Sequence, residues 1–250
     1  MHSRRSAFTL VELSIVLVIV GLVVGGILGG QSLIQAHKVR NVLTDAKTYA
    51  IAMQQFKDKY DYFPGDFPTA TNVWGSNTAD GNGNGAIGLG TAANTTGEMY
   101  QAWKQMVLAG SIQGVFTGVS GTGAALDSRP GINIPAGSIT QSGFSLGSYG
   151  IFSGSANLYD GNYDNVIQFG LSQTNLEPYG AALLPKEAYD LDAKADDGLP
   201  GLGAVVTHRS AVHASCVASD TSAAAAIYNR SYSSVACDLI FLSSFMAPKQ

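Results

Sequence analysis

A glycine-rich loop near residue 80 carries the clearest metal-binding spacing in the chain. Asp80, Asn82 and Asn84 alternate with glycines, and the apolar Ile87 follows at the eighth position. This pattern is that of the first half of an EF-hand loop, in which alternate side-chain oxygens bind Ca²⁺. The twelfth position holds a threonine where a bidentate glutamate would stand, and Glu98 is the next acidic residue along the chain. We therefore expect calcium to be held by Asp80, Asn82, Asn84 and Glu98.

The same residues allow an interpretation without a metal. Residues 95–98 are Thr-Thr-Gly-Glu, a capping box in which the Glu98 carboxylate would accept a hydrogen bond from the Thr95 amide at a helix start. The glycine repeat would then be a hairpin tip. A tip has no need for oxygen ligands at alternate positions, which favours calcium, but both interpretations stay open.

The remaining polar clusters give weaker indications. Segment 160–164 repeats the Asp/Asn spacing but is equally typical of a hairpin turn, and the acidic segment 190–197 is predicted to be a structured turn. His208 and His213 lie five residues apart without further placed ligands, which is more typical of surface histidines than of a metal site. The sequence contains no nucleophile elbow, phosphate-binding glycine loop or Cys/His zinc spacing. We therefore expect no enzymatic activity.

Glu12 is the single charge in the apolar run from Phe8 to Gly30. A helix of this length spans about 35 Å, enough to cross a bilayer core of about 30 Å. Arg4 and Arg5 precede the run, which predicts a cytoplasmic N-terminus and export of the residues beyond. A carboxylate at membrane depth costs about 2.5–3.5 kcal/mol, so Glu12 needs a partner. If the leader were cut between Ala7 and Phe8, the new α-amino group of Phe8, in the same or a neighbouring chain, would be such a partner.

The residues around this junction resemble the leader of type IV prepilins and type II secretion pseudopilins. Residues 4–12 are RRSAFTLVE, followed by the apolar run. In that family prepilin peptidase cuts before the phenylalanine and N-methylates it, and the glutamate governs subunit assembly. The resemblance thus implies cleavage between Ala7 and Phe8, methylation of Phe8, and Glu12 as the assembly carboxylate. Ala7 stands where the family usually has glycine, and Gly29 where a kinking proline is often found.

The resemblance also implies the partners and the location. The partners would be prepilin peptidase, other pilin or pseudopilin subunits through the N-terminal helix, and the inner-membrane assembly platform. The chain would be a single-pass inner-membrane protein with a periplasmic C-terminal domain, later part of a type IV pilus or a type II secretion pseudopilus. Its 250 residues favour a minor subunit. The alternative is a periplasmic binding protein on an uncleaved signal anchor.

The pattern beyond the apolar run predicts the fold. Val39, Ala46, Met53 and Tyr60 recur every seven residues, so one helix should continue to Tyr60, pack on its own domain and end before a Pro-Gly turn. Residues 61–98 are predicted to be a loop and 118–150 hairpins or surface loops, with a short helix between Met99 and a C-cap at Gly110. The clearest strands are 149–152, 166–171, 203–207 and 235–242.

A long helix followed by strands predicts an α+β domain with an antiparallel sheet and long loops, and the family resemblance implies the same pilin-like organisation. The predicted boundaries are a leader at 1–7, a transmembrane and assembly helix at 8–30, an amphipathic continuation at 31–60 and a globular domain at 61–250. Loss of the two leader arginines changes the formal charge from −4 to −6. An acidic chain of this kind gives no support to nucleic-acid binding.

Cys216 and Cys237 are the only cysteines in the chain. In an oxidising periplasm they should form a disulfide that closes a loop of about 22 residues. Pilins commonly clasp a C-terminal loop in this way, so the family resemblance supports the pairing. The alternative is a pair of unpaired buried thiols.

Overall fold

One long helix, α1, runs from Leu10 to Tyr60 in the computed structural model. The structure describes residues 9–90, 97–123 and 126–246. The chain divides into two compact units, the first ending at Lys38 and the second beginning at Val39. Each unit is described by itself below.

The first unit is the apolar half of α1. Its most apolar 18-residue window has a mean hydropathy of 2.7 and none of it is buried, so the helix is long and apolar enough to cross a membrane. Every large apolar side chain described between Leu10 and Ile27 is at least half exposed. A continuous apolar surface of this kind requires lipid or a protein partner. The predicted division of the helix at residue 30 stays a prediction.

The part of α1 that belongs to the second unit carries the predicted stripe. Val39, Ala46 and Met53 are buried, and the Tyr49 ring makes edge-to-face contacts with Trp103 at 5.0 Å and with Phe144 at 5.1 Å between centroids. These contacts confirm that the polar half of the helix packs on its own domain.

The helix ends at Tyr60 because the next residue leaves the helical conformation. Asp61 is left-handed, with φ 64°, while its amide still donates to the Lys57 carbonyl at 2.8 Å. The predicted Pro64-Gly65 turn follows a few residues later. Gly65 has φ 88°, and a Cβ there would collide with the backbone carbonyl of Glu98.

The second unit contains four further α-helices, two short 3-10 helices (Gly75–Asn77 and Ala223–Ala225) and eight strands among the described residues. The helices are α2 (Ala70–Trp74), α3 (Glu98–Leu108), α4 (Pro185–Ala195) and α5 (Ser243–Met246). The strands are β1 (Ser142–Gly147), β2 (Ile151–Phe152), β3 (Gly161–Asn162), β4 (Val166–Leu171), β5 (Val205–Val206), β6 (Val217–Ser219), β7 (Ile227–Tyr228) and β8 (Leu239–Phe241).

The main sheet is antiparallel throughout, with strand order β1-β4-β8-β5. β2 with β3, and β6 with β7, form separate two-stranded sheets. Side chains alternate between the two faces of the main sheet. The apolar face joins the core formed with α1 and α3, and includes Phe144, Leu146, Ile167, Phe169, Val205, Leu239 and Phe241.

The opposite face of the main sheet is also covered. Val166, Val206 and Ile240 form a second apolar cluster there with Leu158 and Tyr163 from the preceding loop. One cross-strand row on this face consists of Ser145, Gln168, Ile240 and Val206. The face is therefore mixed, with buried polar side chains beside apolar ones.

The α+β pilin-like fold predicted from the sequence is confirmed, and the differences are local. β4 coincides with predicted strand 166–171, whereas β5 and β8 are shorter than predicted. The predicted strand 149–152 contributes only β2, outside the main sheet. α3 starts at Glu98 and is followed by Gly110 with φ 76°, as expected for a helix C-terminus.

Several elements were missed, among them β1, α2 and α4. β1 lies within 118–150, predicted as hairpins or loops, because its glycines and serines have low β-propensity and only burial on both faces selects the strand. α2 lies within the predicted loop 61–98. α4 occupies most of the predicted acidic turn at 190–197; Pro185 at its first turn and Glu187, which accepts from the Leu184 amide, were the overlooked helix-start signals.

The predicted disulfide is present. Cys216 and Cys237 are bonded, with their Cα atoms 5.0 Å apart, and both are fully buried. Cys216 directly precedes β6, and the Cys237 backbone exchanges hydrogen bonds with Leu183. The bridge therefore ties the β6–β7 hairpin to the strand that pairs with β4 and β5.

Removing the bridge should destabilise the second unit by about 3 kcal/mol, the chain-entropy value for a loop of this size. We expect Cys216→Ser/Cys237→Ser to lower the melting temperature by roughly 6–12 °C, measured by tryptophan fluorescence. Ser234→Ala, at an exposed site in the same loop, should leave it unchanged. Equal melting temperatures for the double variant and the wild-type chain would contradict a stabilising role.

Candidate functional site

The first described turn of α1 contains a capping box that sequence reasoning missed. The backbone N–H and the hydroxyl of Thr9 both donate to Glu12 Oε2 at 2.8 Å, and the Glu12 amide donates back to Thr9 Oγ1 at 3.2 Å. The Thr-x-x-Glu spacing at 9–12 was the available signal. One oxygen of the predicted assembly carboxylate is thus already engaged within its own chain.

The predicted processing residues Ala7 and Phe8 lie outside the described residues, so the pairing of Glu12 with the Phe8 amine stays a prediction. The capping box gives Glu12 a second, local role that the sequence interpretation had not considered. The two roles differ in what they require. Capping needs an acceptor oxygen, whereas pairing with an amine needs a negative charge.

The glycine loop at 80–88 is organised by Asp66, which no spacing in the sequence singled out. Asp66 is fully buried, and its carboxylate accepts hydrogen bonds from the amides of Asn84 at 3.0 Å and Gly85 at 2.8 Å. Gly81 packs on the backbone of Gly65 and Asp66 so closely that a Cβ would collide with it. The loop is therefore held by its backbone amides, and glycine is needed for the close approach.

The structure brings the four predicted calcium ligands into one region, but each already accepts protein hydrogen bonds. Asp80 accepts from the amide and hydroxyl of Thr71. The side-chain oxygens of Asn82 and Asn84 accept from amides two residues further along, which is the geometry of Asx turns. Calcium coordination at these residues stays a prediction, and the hydrogen bonds account for the alternating oxygens without an ion.

Glu98 lies beside this loop at the first position of α3. Its two carboxylate oxygens accept from the amides of Asn82 at 2.8 Å and Gly88 at 2.6 Å. Burial raises the pKa of Glu98, and the charge of Asp66 raises it further, while the two amide hydrogen bonds lower it. The alternative partner in a capping box, Thr95, lies outside the described residues. Among the described residues, Glu98 thus links the Asn82 and Gly88 positions of the glycine loop through their amides.

His208 and His213, predicted to be surface residues, are mostly buried and converge on Asp238, so that prediction is wrong. Nδ1 of His208 lies 2.6 Å from Asp238 Oδ2, and Nε2 of His213 lies 3.5 Å from Asp238 Oδ1. Asp238 also accepts from the Thr207 hydroxyl at 2.9 Å. Nε2 of His213 donates to the Tyr179 carbonyl at 2.8 Å.

The His208, His213 and Asp238 ligand atoms lie within 4.8 Å of one another, close enough for a metal centre. Each of these atoms is already engaged in the hydrogen-bonded network, however, and the network needs no ion. Burial raises the pKa of Asp238, but the charge of His208 and its hydrogen bond lower it more, so the net shift is downward. Burial lowers the pKa of His208, but the charge of Asp238 and its hydrogen bond raise it more, so the net shift is upward.

A second buried carboxylate, Glu177, lies near His208. Its exposed fraction is 7%, and Tyr149 Oη lies 2.7 Å from Glu177 Oε1 and 2.8 Å from Gln168 Oε1. Burial raises the pKa of Glu177 to about 7, although the Tyr149 hydrogen bond and the His208 charge lower it. Glu177, Tyr149, Gln168 and His208 line one cavity of about 290 Å³.

Asp192 is the buried member of the acidic segment at 190–197. Its oxygens accept from the Tyr228 hydroxyl at 3.0 Å and the Gly198 amide at 3.2 Å. Burial raises its pKa to about 8 despite these hydrogen bonds. Asp196 and Asp197 lie nearby and accept from the amides of Ala204 and Leu199. The segment therefore fastens the end of α4 to its neighbours in the described fold.

These shifts predict that stability falls as the pH rises from about 4 to about 8. Glu177 and Asp192 keep their protons in the folded state up to about pH 7 and about pH 8, whereas unfolded carboxyls ionise near pH 4. Folding thus loses on the order of 3 kcal/mol at Glu177 alone as the pH rises through this window. The stabilisation from His208, whose folded pKa is raised, is also lost as the pH rises. The pKa of Asp238 is lowered in the folded state, so its contribution to stability is lost only at low pH, where the carboxylate becomes protonated.

We expect the melting temperature to be lower at pH 8.5 than at pH 5.5, and Glu177→Gln to reduce the difference because glutamine does not ionise. Asp190→Asn, an exposed site on α4, is the charge-matched control and should leave the difference unchanged. A melting temperature that rises between pH 5.5 and pH 8.5 would contradict the buried-carboxyl assignment.

Comparison with protein families matches residues 2–28 to the prokaryotic N-terminal methylation motif. Comparisons with curated proteins and with solved structures find no match. The matched residues include the predicted cleavage junction, Glu12 and most of the apolar half of α1. The described part of that helix is consistent with anchoring in the inner membrane before assembly. The chain therefore carries the prepilin-type N-terminal methylation motif on residues 2–28, and its fold is the α+β, pilin-like arrangement of a long helix packed on an antiparallel sheet.

Proposed function

We propose that the protein is a structural, non-enzymatic filament subunit, a minor pilin or pseudopilin of a type IV pilus or type II secretion system. The observation that carries the proposal is the methylation motif on residues 2–28, placed on a helix whose apolar side chains are exposed within the chain. Prepilin peptidase would remove residues 1–7 and methylate Phe8. The inner-membrane assembly platform would then receive the mature subunit.

Assembly would bury the apolar half of α1 against the same segment of other subunits. Leu10 to Ile27 expose their side chains, and lipid or neighbouring helices are the environments that can cover them. Gly21, Gly25 and Gly29 recur every four residues on this segment, and nothing lies within 4 Å of the position of an added Cβ. Small residues at this spacing let helices approach closely.

Cleavage is tested by intact and N-terminal mass spectrometry of the protein from cells with and without prepilin peptidase. With the peptidase we expect a chain that begins at N-methylated Phe8, and without it a chain that retains residues 1–7. An uncut chain in both strains would overturn the filament proposal and favour the alternative, a periplasmic binding protein on a signal anchor.

The charge and the capping role of Glu12 can be separated by substitution. Glu12→Gln keeps a side-chain acceptor suited to the capping box but removes the charge. Thr9→Ala keeps the Glu12 charge but removes the hydroxyl that takes part in the capping box. If the charge pairs with the Phe8 amine, Glu12→Ala and Glu12→Gln should both be cleaved yet enter sheared filaments at least about tenfold less, a deficit of about 1.4 kcal/mol. Thr9→Ala should assemble.

Ser14→Ala is the matched control, because Ser14 is a polar residue of the same segment whose hydroxyl donates only to the Val11 carbonyl in its own helix. It should be cleaved and assembled normally. Normal assembly of Glu12→Gln together with failure of Thr9→Ala would assign Glu12 to capping and remove the pairing argument.

A further inference from the structure

The cavity lined by Glu177 lies on the mixed face of the main sheet, away from the face that packs on α1. Gln168 and Ile240, which are cross-strand neighbours on β4 and β8, line it from the sheet. Tyr149, Tyr179 and His208 line it from the loops that cover this face. Its volume of about 290 Å³ corresponds to about ten water molecules, which limits an occupant to a small molecule or a single side chain.

The charges around this cavity are unequal. Glu177 and Asp238 are both buried carboxylates. His208 is the one basic side chain among the described residues that line the cavity, and its Nδ1 is committed to Asp238 at 2.6 Å. Among the described residues, Glu177 has no cation of its own at hydrogen-bond distance. A buried carboxylate is costly unless it is paired or protonated.

The hydrogen bonds of Tyr149 indicate how Glu177 is accommodated when the cavity holds no cation. The hydroxyl oxygen lies within hydrogen-bond distance of both Glu177 Oε1 and Gln168 Oε1, but it has only one proton to donate. Both contacts are satisfied if Glu177 is protonated and donates to Tyr149, which donates to Gln168. With Glu177 ionised, Tyr149 donates to Glu177, and the Gln168 amide has to be turned so that its NH2 group donates to Tyr149. The pKa of about 7 that burial gives Glu177 allows this protonated form near neutral pH.

We propose that this cavity binds a primary ammonium group, with Glu177 as its counter-ion and the Tyr149 and Tyr179 side chains as walls. The ammonium supplies Glu177 with a positive charge besides that of His208, whose Nδ1 is committed to Asp238, and aromatic walls favour cations over neutral groups. Binding ionises Glu177, so one proton leaves the carboxyl as the cation enters. The group belongs either to a free small amine or to a lysine side chain of another subunit. This site lies outside the assembly helix and goes beyond the proposed filament role.

The test uses the full-length chain in detergent and n-butylammonium as the probe, titrated by calorimetry. n-Butanol, which has the same alkyl chain without the charge, should not bind. Glu177→Gln should weaken n-butylammonium binding at least about tenfold, whereas Asp190→Asn should leave it unchanged. At pH 6, titrations in buffers of different ionisation enthalpy should show release of close to one proton, and at pH 8.5 release should be close to zero.

Val212→Trp provides a second variant that keeps Glu177 and fills the cavity, because Val212 is another lining residue. It should abolish binding while the melting temperature shows that the chain is folded. Sedimentation distinguishes the sources: a lysine from another copy predicts self-association that n-butylammonium reverses, and a free amine predicts a species unaffected by the probe. Equal affinity for n-butanol, or binding without proton release at pH 6, would overturn the proposal.

Discussion

The structure depends on one continuous helix that has two different surroundings along its length. Within the chain, the side chains from Leu10 to Ile27 are exposed and apolar, whereas Val39, Ala46 and Met53 are buried. The buried half supplies the core on which the main sheet and α3 are assembled. The exposed half packs on no such core within the described residues, and its apolar surface has to be covered by lipid or by other helices. The separation of the chain into two units at residue 38 follows from this difference.

The second unit differs from a simple helix-on-sheet domain in that both faces of its sheet are covered. Alternation along β4 and β8 places Ile167, Phe169 and Leu239 towards the helix and Gln168 away from it. Asp238, which is fully buried, directly precedes β8. Because buried polar groups need partners, loops from distant parts of the chain supply them. His208 satisfies Asp238, and Tyr149 joins Gln168 to Glu177. The disulfide holds Cys237, the residue before Asp238, in the same region.

The glycine loop is held by the same kind of long-range contact. Asn165, in a left-handed conformation with φ 54°, accepts from the Ile87 amide at 2.7 Å and donates to the Gly85 carbonyl at 2.9 Å. Asp66 fixes the other side of the loop through two amides. The alternating oxygens that suggested calcium belong to a loop whose backbone is already satisfied by side chains from before and after it in the sequence.

The sequence by itself determined the features that depend on local periodicity and covalent identity. Hydropathy and the seven-residue repeat specify α1, and residues 2–28 carry the N-terminal methylation motif. β4 follows from β-branched and aromatic residues, and the two cysteines leave one possible pairing. The tertiary structure decided what depends on contacts between distant residues. β1 is a strand because β4 pairs with it, and the surroundings of Glu177, His208 and Asp238 arise only when three separate segments meet on one sheet face. Local spacing cannot report such contacts, because the groups that bury and pair each polar side chain lie tens of residues away.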